Sequence, residues 1–457
     1  MDAALQYAKD HADRFVEELK AWLRIPSIST DPAYAPQTRS AAVWLRDNLS
    51  DAGVETVEVM ETDGHPIVFG EHHVSDDAPT VLIYGHYDVQ PPDPLELWDH
   101  DPFDPVEVDG DLVARGSADD KGQAFMHVKA TEAWLASGGP LVNLKFLIEG
   151  EEENGSVHLP GFLAEHKEKL AADVVLVSDT ALFAPGVPSI AYGLRGLAYV
   201  EVTLTGPKKD LHSGVYGGAV ENPINALAAM IADLHDADHR VTVDGFYDDV
   251  RDLDAEEREA YRSLPFDEAA WKDEAGVSAT KTEAGFSILE GTSGRPTLDC
   301  NGIWGGYTGQ GAKTVLPSKA SAKISCRLVA DQTPEDITDK LRRHFEAHVP
   351  ETMTLTFTDL HGGHGVIVDR DAPAMKAASE ALEGVFGQTP YFTREGGSIP
   401  VVADFKKILG LDTVLMGFGL DSDSIHSPNE KFGLDRFHQG IEASVRFLDA
   451  YARQDER

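Results

Sequence analysis

The first half of the chain alternates short apolar runs with longer stretches in which apolar residues recur every three to four positions. The apolar runs predict β-strands, and the longer recurrence predicts helices with one buried face. The predicted strands are Thr80–Tyr84, Leu141–Ile148 and Val174–Val177. The predicted helices are Ala3–Leu23, Thr38–Asp51, Gly122–Ala136 and Val157–Lys169. This alternation indicates an α/β domain whose sheet carries helices on both faces.

The middle of the chain follows a different pattern. Residues 199–205 and 320–329 alternate between apolar and polar, as half-buried strands do, and each is followed by a predicted helix, at 223–234 and 334–348. A polar, acidic insertion at 244–292 lies between them. After residue 371 the α/β pattern returns, with a strand at Thr413–Met416 and a final helix. We therefore predict one domain in two parts, residues 1–194 and 369–457, interrupted by an α+β domain at 195–368.

The charge balance narrows the choice of partners. The 457 residues include 78 acidic and 39 basic side chains, for a net charge of −39. A field of this sign repels nucleic acid and anionic lipid, so we expect neither as a partner. The acidic residues are spread along the whole chain, which favours a solvated, halophile-like surface suited to high salt; an acidic protein from an ordinary environment is the alternative.

Two further features bear on the compartment. No apolar stretch approaches the roughly 20 residues of a membrane span, and the N-terminal helical pattern has no apolar signal core. Cys300 and Cys326 form no C-x-x-C pair. The simplest interpretation is a cytoplasmic protein with reduced thiols, and the alternative is one structural disulfide.

Histidine and carboxylate side chains follow several predicted strands, most of them directly and His426 shortly after the segment that ends at Phe418. These residues are His86, Asp88, Glu152, Glu153, Asp179 and His426. Because ligands of open α/β sheets bind just beyond the carboxyl ends of the strands, we expect these groups to converge. A pair of aspartates, Asp119 and Asp120, lies in a loop next to glycines where a helix begins.

Two histidines with several carboxylates suit divalent metal ions, zinc first, with manganese or cobalt as substitutes. One carboxylate can bridge two ions at ~3.5–4 Å, and zinc lowers the pKa of a bound water towards ~7. A neighbouring carboxylate can then accept the proton of that water, and Glu152 and Glu153 supply one group for each task. Taken singly, each feature has an ordinary explanation, such as Asp119 and Asp120 capping the next helix.

Five segments make the pattern more specific. They are GHYDVQP (85–91), ARGSADDKG (114–122), EGEEENGS (149–156), SDT (178–180) and HSPNE (426–430). In this order they resemble the carnosinase and cytosolic dipeptidase branch of the dizinc peptidase family, which also holds aminoacylases, glutamate carboxypeptidases and succinyl-diaminopimelate desuccinylases. The resemblance implies a zinc-exopeptidase-type α/β catalytic domain with a mixed central sheet, interrupted by a smaller α+β lid and dimerisation domain.

The resemblance also implies a set of metal ligands. Asp119 would bridge two divalent ions, most simply Zn²⁺. His86 and Asp179 would complete one metal group, and Glu153 and His426 would complete the other. The family places a cis peptide bond directly after the bridging aspartate.

Three catalytic roles follow from the same resemblance. Glu152 would be the general base, and Asp88 would orient the His86 imidazole through its second nitrogen. LHSGVYGG (211–218) resembles the lid segment of the family, whose histidine, here His212, reaches the active site of a partner subunit and stabilises the oxyanion. A homodimer formed through the lid domain is therefore expected.

The substrate-binding residues implied by the resemblance lie in the last third of the chain. They are Thr314, Arg327, His361, Gly397 and Ser398. An arginine suits a free C-terminal carboxylate, because its fork binds two oxygens. Without the resemblance, Arg327 would be interpreted as a surface residue at a strand end and the glycines as turn residues.

The expected function is that of a metallopeptidase, a dizinc exopeptidase that hydrolyses dipeptides or short peptides. An N-acyl-amino-acid or succinyl-diamine deacylase of the same fold is the alternative. A non-catalytic metal-binding dimer is disfavoured, since no ligand or base is missing. One departure from the family pattern is Glu151, where an apolar residue is common; we expect its side chain to face solvent. The segment SDTALFAPG and the proline of HSPNE fit a microbial member and leave carnosine-like substrates open.

The net charge of −39 predicts a salt-dependent stability. Added salt screens the repulsion between surface carboxylates, so the melting temperature should rise by several degrees between dilute buffer and molar potassium chloride. Thermal unfolding followed by circular dichroism across this range checks the prediction. A melting temperature that stays constant or falls would contradict adaptation to salt.

Overall fold

The structure, a computed structural model, describes residues 1–397 and 399–454. Contacts divide it into two compact units. Unit 1 comprises Met1–Tyr192, Val368–Thr393 and Asp404–Arg457, and unit 2 comprises Gly193–Ile367 and Arg394–Ala403. The segment 394–403, which follows the predicted boundary at 368, thus groups with unit 2.

The elements occur in the following order. Up to residue 194 they are α1 (Asp2–Asp10), α2 (Ala12–Leu23), α3 (Ala35–Asp51), β1 (Thr56–Met60), β2 (Ile67–His72), β3 (Thr80–His86), β4 (Val106–Val108), β5 (Asp111–Val113), α4 (Lys121–Leu135), β6 (Asn143–Glu149), α5 (Leu159–Glu165), β7 (Val174–Val177) and β8 (Ser189–Leu194). Next come β9 (Gly196–Thr205), β10 (Leu211–His212), α6 (Ser213–Tyr216), α7 (Pro223–Ala232), α8 (Ala255–Ser263), α9 (Glu268–Glu274), β11 (Thr297–Gly305), β12 (Val315–Leu316), β13 (Lys319–Leu328), α10 (Pro334–His348), β14 (Thr354–Gly363) and β15 (Val366–Ile367). The last are α11 (Pro373–Phe386), β16 (Tyr391–Glu395), α12 (Pro400–Asp404), β17 (Thr413–Leu415), β18 (Lys431–Gly433) and α13 (Leu434–Gln454).

The central sheet of unit 1 is mixed. Its strands lie in the order β1-β2-β6-β3-β7-β17-β8. The inner strands β6, β3, β7 and β17 are parallel to one another, whereas β2 pairs antiparallel with β1 and β6, and β8 pairs antiparallel with β17. The predicted α/β class with a mixed sheet is confirmed. Since the four inner strands run in one direction, their carboxyl ends lie along one edge, where the predicted site residues follow them.

Helix α4 begins directly after the Asp119–Asp120 pair. Every residue from Lys121 to Trp134 is buried, so α4 is a core helix with no solvent face. It packs against β3, α1, α2 and α13. The Lys121 ammonium donates hydrogen bonds to the carbonyls of Trp22 (3.2 Å) and Ile25 (2.7 Å), which tie the start of α4 to the end of α2. The loop that carries Asp119 and Asp120 therefore continues directly into a buried helix that is hydrogen-bonded to its neighbour α2.

The predicted strands of unit 1 agree with the structure to within two residues. Two predicted helices differ from it. The helix predicted from Ala3 to Leu23 is broken at His11, whose backbone (φ −113°, ψ 13°) is not helical. The helix predicted from Val157 to Lys169 is shorter in the structure and spans Leu159–Glu165.

Unit 2 contains an antiparallel sheet in the order β11-β13-β9-β14 and a two-stranded ladder, β10 with β12. Alternate residues of β9 from Ala198 to Leu204 are buried in a core that includes side chains of α7 and α10. The opposite face of the sheet is only partly buried and carries polar side chains. The acidic insertion forms α8 and α9.

Two observations concern the predicted environment of the protein. Within residues 1–397 and 399–454, every helix is too short or too polar to cross a membrane. Cys300 and Cys326 are both free thiols. The cytoplasmic location and the adaptation to salt stay predictions.

Candidate metal centre

The carboxyl ends of three parallel strands bring the candidate ligands of unit 1 together. His86 is the last residue of β3, and Asp179 lies two residues beyond β7. Glu152 and Glu153 occupy a single 3-10 turn, Glu152–Asn154, shortly after β6. The local sequence explains this turn, because Gly155 closes it in a left-handed conformation (φ 86°) that favours glycine.

Asp119 lies between two histidines. Its Oδ1 is 3.0 Å from His86 Nε2, and its Oδ2 is 2.9 Å from His426 Nε2. Asp179 Oδ2 lies 3.9 Å from the same nitrogen of His86, and Glu153 Oε2 lies 3.1 Å from His426 Nε2. The structure thus contains two groups of three ligands, His86/Asp119/Asp179 and Asp119/Glu153/His426, that share Asp119; within each group the ligand atoms lie within 4.8 Å of one another.

The second nitrogen of His86 faces Asp88. His86 Nδ1 lies 3.1 Å from the Asp88 carbonyl and 3.3 Å from the Asp88 carboxylate. With a proton held on Nδ1 by Asp88, Nε2 could offer its lone pair to a metal ion placed between His86, Asp119 and Asp179. Asp88 Oδ2 also accepts a hydrogen bond of 3.1 Å from the Glu153 amide, so one aspartate contacts both metal groups.

The loop that carries Asp119 has an unusual backbone. The peptide bond between Asp119 and Asp120 is cis. Asp120 is buried, and its Oδ2 accepts a hydrogen bond of 3.1 Å from the His86 amide. Asp120 therefore links the backbone of His86 to the backbone of Asp119, two residues of the same ligand group.

Carboxylates crowd this site. Burial, together with repulsion from Asp119 and Glu153, raises the pKa of Glu152 to about 7. Burial and the nearby aspartates raise the pKa of Asp179 well above its ordinary value. Burial acts in the same sense on Asp119, but hydrogen bonds from the two histidines lower its pKa overall. A buried excess of negative charge beside two imidazoles is complementary to divalent cations, so the residues fit a pair of metal ions.

Glu151 corrects one expectation from the sequence. Its side chain does not face solvent: the residue is buried, and its Oε2 lies 2.7 Å from His158 Nδ1. A Cβ atom on Gly64 would lie 1.9 Å from Glu151 Oε1, so the backbone at this glycine packs directly on the carboxylate. The His158 imidazole gives the buried Glu151 carboxylate a hydrogen-bond partner, and the lack of a side chain at Gly64 leaves room for it. A polar residue therefore occupies a position where an apolar residue is common.

The remaining candidate residues that the structure describes lie in unit 2, in three places. His212 ends β10 opposite Val315 of β12, and the Ser213 amide donates a hydrogen bond of 3.1 Å to the Thr314 carbonyl. His212 and Thr314 are therefore neighbours, and both are exposed.

Arg327 and His361 lie on the strands that flank β9. Arg327 is paired with Leu197 and His361 with Tyr199, so both face the same side of the sheet, opposite the unit 2 core. The His361 ring packs edge-on against the Tyr199 ring, with 5.2 Å between centroids. Gly397 is exposed after β16, and Ser398 lies outside the described residues.

Two residues that the sequence analysis left without a role also contact the metal groups. Gln90 Nε2 donates a hydrogen bond of 2.8 Å to Glu153 Oε2. Glu430 accepts a hydrogen bond from the backbone amide of Asp119. Both residues lie inside the quoted motifs, so the sequence did mark their positions. It did not show which atoms the Gln90 amide and the Glu430 carboxylate would contact.

Comparison with known proteins agrees with this arrangement. The model of "Peptidase family M20/M25/M40" matches residues 82–450. A Cys-Gly metallodipeptidase of Schizosaccharomyces pombe is 33% identical over 99% of this chain and 98% of its own length, and a Beta-Ala-His dipeptidase of Homo sapiens is 31% identical over 98% and 92%. The crystal structure of an M20 family metallo-carboxypeptidase, Sso-CP2 from Sulfolobus solfataricus, superposes with a TM-score of 0.83 at 33% identity and covers 96% of this chain and 99% of its own. The resemblance seen in the motifs is confirmed, and the chain belongs to peptidase family M20/M25/M40.

Proposed function

We propose that the protein is a dinuclear metallopeptidase that hydrolyses dipeptides or short peptides. The observation that carries the proposal is the position of Asp119, whose two carboxylate oxygens face one histidine each. The relatives named as dipeptidases and a carboxypeptidase support a peptide substrate. They do not favour the alternative of an N-acyl-amino-acid or succinyl-diamine deacylase.

Two divalent ions would be held by the two ligand groups. His86 and Asp179 would complete one group, Glu153 and His426 the other, and Asp119 would be shared. Imidazole nitrogens with carboxylate oxygens favour zinc, and manganese or cobalt suit the same donors. When bound, the ions would supply Lewis-acid activation of a water molecule and of the substrate carbonyl.

Glu152 is the residue that would carry the proton. It lies next to the ligand Glu153 in the same turn and belongs to neither ligand group. Its pKa of about 7 suits a group that accepts a proton from the attacking water and returns it to the leaving amine at neutral pH.

The residues of unit 2 would bind the substrate. The Arg327 guanidinium can bind the free C-terminal carboxylate through two hydrogen bonds. His361 supports this role because it faces the same side of the sheet. Thr314, Gly397 and Ser398 would complete the substrate contacts; for Ser398 the proposal rests on the sequence alone.

Unit 2 would also act as the lid and form a homodimer. Its exposed apolar side chains include Ile303 and Trp304 at the end of β11 and Val215 and Tyr216 after His212. Strand β11 is also an edge strand, whose free backbone groups can pair with another chain. Such a surface suits a second copy of the chain, and His212 would then stabilise the oxyanion in the partner's active site.

Metal binding should release protons. Hydrogen bonds to Asp119 and Glu153 raise the pKa of His426 to about 10, so the metal-free imidazole is protonated at pH 7 and must lose its proton to bind an ion. Apparent affinity should therefore fall as the pH is lowered. Calorimetric titration with Zn²⁺ in buffers of different ionisation enthalpy measures the number of protons released. His426→Ala should release fewer, and equal heats in all buffers would contradict the prediction.

Glu152→Gln and Glu153→Gln should have different effects although the residues are adjacent. Glu152→Gln should retain two metal ions and lose ~10²–10⁴-fold in turnover, because it lacks the general base. Glu153→Gln should lose metal. Metal content by mass spectrometry is measured alongside rates on dipeptides and N-acyl amino acids with zinc, manganese and cobalt. Normal turnover of Glu152→Gln would contradict its role, and faster hydrolysis of N-acyl amino acids would favour the deacylase.

A mixed dimer tests whether His212 acts across subunits. His212→Ala and Glu152→Gln homodimers should both be nearly inactive, the first because losing an oxyanion donor costs ~10²–10³-fold. If His212 serves the partner, a dimer of one variant with the other has one doubly defective site and one intact site. Doubly tagged mixed dimers should then recover the activity of one site. If they stay inactive with normal metal content, His212 acts within its own chain.

A further inference from the structure

The Glu430 carboxylate lies beside the two ligand groups, belongs to neither of them and accepts four hydrogen bonds. It is fully buried and follows His426 by four positions. Its Oε2 accepts hydrogen bonds from Arg115 Nη1 (2.7 Å) and the Gly116 amide (3.0 Å). Its Oε1 accepts from the amides of Ala118 (2.9 Å) and Asp119 (3.1 Å). Both oxygens are therefore committed to the loop that carries Asp119.

The same two loops are joined by further bonds. The Ala114 amide donates to the Glu430 carbonyl (3.0 Å), and β18 pairs with β5 from Lys431 onwards. Arg115 Nη2 also lies 3.3 Å from the carbonyl of Ser427, the residue after His426. Arg115 and Glu430 thus connect the segment 114–119 to the segment 426–430 at both ends.

The His426 segment needs such support because its backbone is unfavourable. Ser424, His426 and Asn429 all have positive φ values, of 57°, 59° and 62°. Residues with side chains seldom adopt this conformation unless the surrounding structure holds them in it. Without external bonds, the chain around His426 would relax towards more favourable angles and move the imidazole.

We propose that Glu430 is a positioning residue that fixes the distance between Asp119 and His426, and so sets the affinity of the Asp119/Glu153/His426 group for its metal ion. The proposal rests on the proposed dinuclear function. Glu430 acts indirectly, since it accepts hydrogen bonds from backbone amides and from the Arg115 side chain and contacts no ligand side chain. The 2.9 Å between Asp119 Oδ2 and His426 Nε2 is the distance that it controls.

A buried carboxylate of the same kind in unit 2 provides a matched control. Glu283 is buried, and its two oxygens accept hydrogen bonds of 2.9 Å from Arg295 and of 2.8 Å from Arg240. It belongs to neither ligand group. Glu283→Gln therefore removes a buried, arginine-bound carboxylate in unit 2, and Glu430→Gln removes one beside the metal ligands.

The test compares Glu430→Gln, Glu283→Gln and the unaltered protein. In Glu430→Gln, an NH₂ group replaces one of the two carboxylate oxygens. Both oxygens accept hydrogen bonds from N–H groups, so the NH₂ group faces N–H donors in either orientation of the glutamine amide. The affinity for one of the two Zn²⁺ ions, measured by chelator competition, should fall about 10–100-fold, as is usual when residues that orient ligands are changed. Hydrogen exchange of the metal-free protein should accelerate in the peptides covering 114–119 and 424–430. Glu283→Gln should change neither measurement.

The outcomes separate the possibilities. Unchanged zinc affinity in Glu430→Gln, or an equal loss in Glu283→Gln, overturns the positioning role. An unaltered protein that binds no zinc overturns the proposed function instead. If Glu430→Gln does not fold, Arg115→Lys decides: it keeps the charge and loses the fork, and it should lower zinc affinity in the same direction by a smaller factor. Unchanged affinity in a folded Arg115→Lys would then overturn the proposal.

Discussion

The shared position of Asp119 is the constraint on which the rest of unit 1 depends. A buried carboxylate is stable only when its charge is compensated, and here one imidazole lies against each of its two oxygens. One of these histidines ends a central strand, and the other lies in a loop more than 300 residues later in the chain. The sheet, the buried helix α4 and the pairing of β18 with β5 hold these distant segments close to each other.

The metal centre is built from strand ends and from loops in different ways. His86 and Asp179 need little beyond the parallel sheet, since β3 and β7 are neighbours and end at the same edge. Asp119 and His426 instead lie on loops, and three residues of the second loop, Ser424, His426 and Asn429, have left-handed backbone conformations. Loop ligands of this kind are positioned by buried polar partners, which explains why Arg115, Asp120 and Glu430 are buried although all three are charged residue types.

The sequence predicted the α/β pattern and the strand-end ligands because both follow from local periodicity and from the geometry of parallel sheets. The five motifs then identified the family and supplied roles that periodicity alone could not. The burial of Glu151 was predicted wrongly, because its partner His158 and the space at Gly64 depend on contacts distant from the strand pattern. The part played by Glu430 was missed for the same reason: a hydrogen bond to a backbone amide leaves no trace in the identity of the residue that donates it.

The two ligand groups differ in their access to water. His86 is completely buried, whereas 53% of the His426 side chain is exposed. A ligand at the surface can detach by a local motion of its own loop, while a ligand at the end of a central strand cannot leave without disturbing the sheet. Two bound ions would therefore be kinetically unequal: an ion in the Asp119/Glu153/His426 group would exchange with solvent more readily than an ion in the His86/Asp119/Asp179 group. Loading and loss of metal would follow a fixed order, with the outer position filled last and emptied first.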